Sequence, residues 1–142
     1  MSIKNLKQGI NFKFIDPVNI YDCEVGDNVF VGPFVEIQRD VKVGSRTRIQ
    51  SHSFLCSNTT IGEDCFIGHG VIFVNDKFSK GMVNFNPPFE KVNIGNNVLI
   101  GSNSTILPVS ICDDVIIGAG AVVTQNILES GTYVGNPAKK IQ

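Results

Sequence analysis

The chain has 142 residues and a net charge of −1, which fits one domain with a modest core and removes the electrostatic case for nucleic-acid binding. Its four cysteines, Cys23, Cys56, Cys65 and Cys112, show no C-x-x-C spacing, so they are read as small apolar residues of a reducing compartment, with no metal or disulfide role. No apolar run approaches about 18 residues and no N-terminal stretch has signal-peptide character; a cytoplasmic protein without a membrane partner is expected.

Residues 1–19 read as an irregular N-terminal cap in which Phe12, Phe14 and Ile15 plug an open end. From Val25 every sixth residue is large and apolar: Val25, Val31, Ile37, Val43, Ile49, Leu55, Ile61, Ile67, Phe73. The following residue is Gly at Gly26, Gly32, Gly44, Gly62 and Gly68. A period of six fits neither a helix nor a simple strand alternation, but it fits a solenoid of short strands joined at tight corners. With three hexapeptides per coil, the columns are Val25/Val43/Ile61, Val31/Ile49/Ile67 and Ile37/Leu55/Phe73.

After Phe73 the rhythm stops. The stretch that follows holds turn residues and three rings, Phe78, Phe85 and Phe89, but no period, and is read as one long inserted loop over about residues 76–93. Rings on such a loop need a surface to pack on, either a neighbouring subunit or a ligand. The repeat resumes at Ile94 and runs through Ile100, Ile106, Ile111, Ile117 and Val123. A Gly/Pro-rich tail, 129–142, is expected to lie back along the last coil. The predicted fold is an all-β parallel β-helix forming a single domain over 1–142.

The motifs carry a resemblance. Most of the chain, from about Ile20 to Ile141, resembles the hexapeptide-repeat acyltransferases, which implies a left-handed β-helix; the hand does not follow from the pattern. Ile100-Gly-Ser, Ile117-Gly-Ala-Gly-Ala-Val-Val-Thr and Gly135-Asn-Pro-Ala-Lys-Lys-Ile resemble the acetyl-CoA-binding end of that family. The resemblance implies Gly101, Ser102, Gly118, Ala119, Pro137, Lys139 and Lys140 as cofactor contacts and acetyl-CoA as cosubstrate. Phe66-Ile-Gly-His-Gly-Val-Ile-Phe-Val-Asn-Asp-Lys-Phe78 is similar to the nucleotide-sugar N-acetyltransferases, with Ser79-Lys80 where those relatives carry Pro-Arg. It implies Asn75 as a catalytic residue that positions the amine or the thioester, with Asp76, Lys77 and Phe78 near the sugar. It further implies a homotrimer with sites between subunits, working in cell-surface polysaccharide sugar biosynthesis.

The register places Ser51, His69, Ser102 and Ala119 on one corner and Ser57, Asn75, Pro108 and Gln125 on the next. Small residues on the first would let an extended cofactor approach backbone amides; the plain alternative is that Gly118, Ala119 and Gly120 only turn the chain. Acetyl transfer needs a neutral amine, a proton acceptor and donors for an oxyanion. His69 is the candidate base, with a solvated corner histidine as the plain reading. His52, one coil earlier, is a candidate substrate contact or a surface histidine. Asp76 orients an ammonium or merely starts a turn. Three alternatives stand beside this reading: an O-acetyltransferase on a small alcohol with His69 as base; a γ-carbonic-anhydrase-like metalloenzyme, whose His-x-x-x-x-His is missing; and a non-catalytic scaffold.

Overall fold

Apolar residues six apart become the inner wall because each corner turns the chain after a two-residue strand. The computed structural model describes residues 2–142. It contains nineteen short strands and no helix, arranged as a left-handed parallel β-helix of about seven coils. Val31, Ile49, Ile67, Ile100, Ile117 and Tyr133 stack on the first side. Ile20, Ile37, Leu55, Phe73, Ile106 and Val123 stack on the second. Val25, Val43, Ile61, Ile94, Ile111 and Ile127 stack on the third. Every one of these side chains is buried; the columns are those read from the sequence, each extended by one residue, Tyr133, Ile20 and Ile127.

Pairing offsets measure the coils. Phe54 pairs with Ile72, 18 residues on, whereas Ile72 pairs with Thr105, 33 residues on. The additional chain leaves the solenoid between Phe73 and Val92, where no strand occurs. Later pairs return to 17, as in Thr105 with Val122, because the unit that starts at Ile106 has one residue fewer.

Two terminal segments differ from a plain cap and tail. Residues 1–19 were expected to be irregular, yet Ile3–Gln8 and Lys13–Phe14 are strands paired in parallel with Ile20–Val25 and Phe30–Val31. They form a coil of their own, because Ile3 and Leu6 supply apolar contacts that the hexapeptide count overlooks. Phe12 packs against the core and stacks on Phe14 with ring centroids 5.7 Å apart, while Ile15 stays exposed. At the other end Gly131–Val134 adds the last parallel strand, and Lys139–Lys140 folds back on it in antiparallel pairing. This covers part of an edge that would otherwise offer unpaired backbone groups. No helix of the described residues is long and apolar enough to cross a membrane.

Left-handed backbone at each corner explains a second sequence rhythm. Asn28, Asp40, Asn58, Asp64, Asn97, Asn103 and Asp114 all have positive φ, three residues after an inward apolar residue. Asn and Asp tolerate this conformation better than other side chains do. Buried thiols line the wall; burial pushes that of Cys23 up to about 11, so it stays protonated near neutral pH.

Ile67→Ala, which opens a cavity in a fully stacked column, is expected to cost roughly 2–5 kcal/mol. Thr60→Ala, on the exposed face of the third side, should cost no more than about 0.5 kcal/mol. Urea unfolding of both variants at one protein concentration measures the contrast.

Candidate active site

The first corner, between the first and second sides, is where small residues and a histidine meet. One donation repeats along it: Gly70 N–H to Ser51 O, Asn103 N–H to His69 O, and Gly120 N–H to Ser102 O, each 2.8–2.9 Å. Ser51, His69, Ser102 and Ala119 are therefore successive rungs of one corner, as the register predicts.

Buried hydroxyls fix how those peptides face. Ser53 Oγ donates to Gly68 O at 2.8 Å and Ser104 Oγ to Gly118 O at 3.0 Å. In a trans peptide the N–H points opposite to the C=O. Tying the Gly68 and Gly118 carbonyls inward therefore turns the N–H groups of His69 and Ala119 outward.

What those outward N–H groups meet distinguishes this corner from the third. There the next coil supplies an acceptor to three of them, Ser45 Oγ for Asp27 N–H, Asn96 Oδ1 for Glu63 N–H and Asp113 Oδ1 for Asn96 N–H, at 2.7–2.9 Å, while the N–H groups of Ser45 and Asp113 have none among the described residues. At the first corner only His69 N–H is capped in this way, by Ser102 Oγ at 3.1 Å. Ser102 N–H faces Ala119, which has no side-chain acceptor. Among the described residues the N–H groups of Ser51, Ser102 and Ala119 have none. Ser102 and Ala119 are one coil apart, about 4.8 Å, and Ser51 lies two coils before Ser102; the adjacent pair suits carbonyl groups of an extended ligand.

Not every small residue here answers to a ligand. A Cβ on Gly101 would sit 2.5 Å from Ala119 N, so coil stacking alone demands glycine there. Gly118 is less confined, because its one close neighbour is a side-chain methyl, Val134 Cγ1 at 2.7 Å, and no backbone atom comes nearer than 3.7 Å. By contrast Gly120 has φ +71° and open space around it, and Ala119 is exposed. Pro137 reaches the same end of the corner, because Val122 N–H donates to Gly135 O and Ala138 N–H to Val122 O. Lys140 is held by Glu129 at 3.2 Å, whereas Lys139 forms no ion pair among the described residues.

Asn75 lies at the second corner, where its Nδ2 donates to Ser57 O at 2.9 Å. Within one chain it is therefore apart from His69: the two belong to opposite ends of the second side. The loop that starts here is pinned from inside. Asp76 accepts Phe78 N–H on one oxygen and Asn84 N–H on the other, at 2.9 and 2.8 Å. Lys77 pairs with Glu90 across its neck, and Asn58 Nδ2 donates to Phe89 O. These bonds border a half-open pocket of about 530 Å³ walled by loop residues, among them Asn75, Asp76, Lys80, Phe85 and Pro88. Phe78 and Phe85 remain exposed, so the chain itself offers those rings no packing partner. His52 is also exposed and stacks on Phe34, a residue that the search for chemistry-bearing side chains passed over.

Asp76→Ala should release the loop. Faster hydrogen exchange is expected at the Phe78 and Asn84 amides, with exchange at Ile67 and Ile100 unchanged.

Comparison with known proteins places the repeats in a family. A model of the hexapeptide repeat of succinyl-transferase matches residues 58–74 and 91–125. A model of the bacterial transferase hexapeptide matches residues 22–57. The bifunctional protein GlmU of Bacillus mycoides is 38% identical over 107 residues, 75% of this chain and 21% of that protein. GlmU of Streptococcus uberis is 29% identical over 133 residues, 87% of this chain and 29% of that protein. The chain thus spans less than a third of these curated relatives. A variant of AntD, an N-acyltransferase from Bacillus cereus, in complex with dTDP and coenzyme A, matches with a TM-score of 0.83 at 25% identity, over 96% of this chain and 82% of that one. A variant of the GDP-perosamine N-acetyl transferase from Caulobacter crescentus, in complex with CoA and GDP-perosamine, shares the fold with a TM-score of 0.75 at 23% identity, over 88% and 53%.

Proposed function

The chain belongs to the hexapeptide-repeat transferases, and on that premise we propose that it is an acetyl-CoA-dependent N-acetyltransferase acting on the amino group of a nucleotide-linked amino-deoxyhexose. The observation that carries this reading is the set of N–H groups at Ser51, Ser102 and Ala119 left without acceptors, that of Ala119 turned outward, on a corner that also bears His69. Their spacing suits the amide carbonyls of a pantetheine arm running from Ala119 past Ser102 to His69. Lys139, without an ion pair among the described residues, would meet a phosphate of coenzyme A as a point charge.

The thioester would then lie near His69. The sugar amine, neutral when it attacks, forms the N–C bond while the C–S bond breaks. Its proton passes to His69 or to the departing sulfur, and the products are the amide and the free thiol of coenzyme A. A sugar amine is less basic than a lysine and loses its proton readily, so the histidine is helpful rather than indispensable.

Asn75 completes the site only if a second chain supplies it, because its corner is not that of His69. We place the site between subunits of a homotrimer. The outer faces support that assembly: the first side exposes Phe66, Leu99 and Ile116 in register and the second exposes Ile72, whereas the third shows Glu24, Lys42, Thr60, Asn93 and Ser110. The product suits cell-surface polysaccharide synthesis in the cytoplasm.

An acetyl-CoA assay against nucleotide-linked 3-amino and 4-amino deoxyhexoses tests the reading. Turnover of one amine is expected, with His69→Ala slowing it by less than about 100-fold, the low end of general-base catalysis. Inert amines beside a reactive alcohol, with activity abolished by His69→Ala, would instead identify an O-acetyltransferase.

A further inference from the structure

Fourteen non-glycine residues have positive φ among the described residues, and ten of them are Asn or Asp. The exceptions are Phe34, Arg46, His52 and Phe78. Arg46 has a ready explanation in its ion pairs with Asp64 and Glu63. Phe34 does not; its partner here is His52, a residue type that enters this conformation more often than most. They occupy the same left-handed position on successive coils of the first corner, with φ of 63° and 67°. Each donates its N–H to the coil before, Phe34 to Pro17 O and His52 to Pro33 O. Later coils fill this position with Gly70, Asn103 and Gly120, the residues that the conformation favours. A bulky ring in left-handed backbone is strained, and such strain persists where function holds it.

The two rings lie against each other with centroids 4.9 Å apart and planes 28° from parallel. Phe34 nonetheless remains 52% exposed, so the stack leaves an aromatic surface uncovered. It sits on the His69 corner, at the end away from Ala119. On the first side, leading into this corner, Arg48 lies 4.3 Å over Phe30, and Lys13 stands in register with Phe30. On the second side the Glu36 carboxylate is already held by Asn19 Nδ2 and Gln38 Nε2. Positive charge is therefore offered on one flank of the rings.

We infer that Phe34, backed by His52, is the platform on which the base of the nucleotide-linked sugar stacks, with its diphosphate towards Arg48 and Lys13. This rests on the proposed function and adds where the nucleotide lies: coenzyme A on the Ala119 end of the corner and the nucleotide on the Phe34 end, with the reacting groups between them at His69. Stacking on an aromatic face tolerates any base, so the platform supplies affinity rather than base choice.

Phe34→Asn separates this from a structural role, because Asn suits the left-handed position better than Phe does. UDP, GDP and dTDP are titrated calorimetrically into the wild-type protein and the variant, alongside coenzyme A, with thermal unfolding and sedimentation of both. The expected result is an unfolding midpoint equal to or above wild type, unchanged assembly and coenzyme A affinity, and a loss of roughly ten- to a hundredfold for the nucleoside diphosphate that binds the wild type. Equal nucleotide affinity in the two proteins overturns the platform while leaving the proposed function intact. A lowered midpoint or altered assembly with unchanged nucleotide binding overturns it in favour of ring packing within or between chains. Coenzyme A binding without any nucleotide binding to the wild type removes the nucleotide-linked acceptor, and the platform with it.

Discussion

Backbone hydrogen bonding from one coil to the next is the constraint on which everything else depends. Parallel strands of two or three residues hold no stability of their own; each gains it from the coil above and below. That pairing fixes the vertical distance between coils, so a residue can stack only on its own position in the repeat. Like residues therefore accumulate in columns, and an inward position must be apolar in every coil. The same spacing leaves no room for a Cβ at Gly68 or Gly101, where the next coil passes within 2.8 Å. Many of the glycines are thus consequences of stacking before they are anything else.

Within so regular a frame, chemical difference comes from small departures at the corners. The first and third corners share one geometry and one set of outward N–H groups. At the third, Ser, Asn and Asp side chains of the next coil cap the N–H groups of Asp27, Glu63 and Asn96. At the first, histidine and alanine do not. A surface feature of the repeat becomes a set of ligand donors by the omission of a few oxygen atoms. Phe34 and His52 are a second departure on that corner, rings where the repeat elsewhere favours Asn, Asp or Gly.

The fold was legible because its period is long and unbroken, from Val25 to Phe73 and again from Ile94 to Val123. The first coil was not, because the step from Ile20 to Val25 is five residues and puts Phe14 and Ile3 out of the phase that Val25 sets, even though they pair in parallel with the coil after them. The corner of His69, Ser102 and Ala119 followed from counting two residues past each apolar one. Counting three would have found the Asn/Asp/Gly column, with Phe34, Arg46 and His52 as its outliers. What no count reaches is the direction of the peptide planes before His69 and Ala119, which Ser53 and Ser104 set. The inward links of Asp76 to Phe78 and Asn84 were likewise hidden, because the loop has no period from which to place them.

The central claim is that Ala119 keeps a donor free for a ligand. Ala119→Ser tests it with one added oxygen, because Ser102 already caps His69 N–H at this corner and Ser45 caps Asp27 N–H at the other. Capping Ser102 N–H in the same way should hold or raise the unfolding midpoint and weaken coenzyme A binding by about two- to tenfold, the worth of one hydrogen bond. Calorimetric titration of coenzyme A into both proteins decides the matter. Equal affinity in the variant, with the same or a higher midpoint, would contradict the role given to this corner.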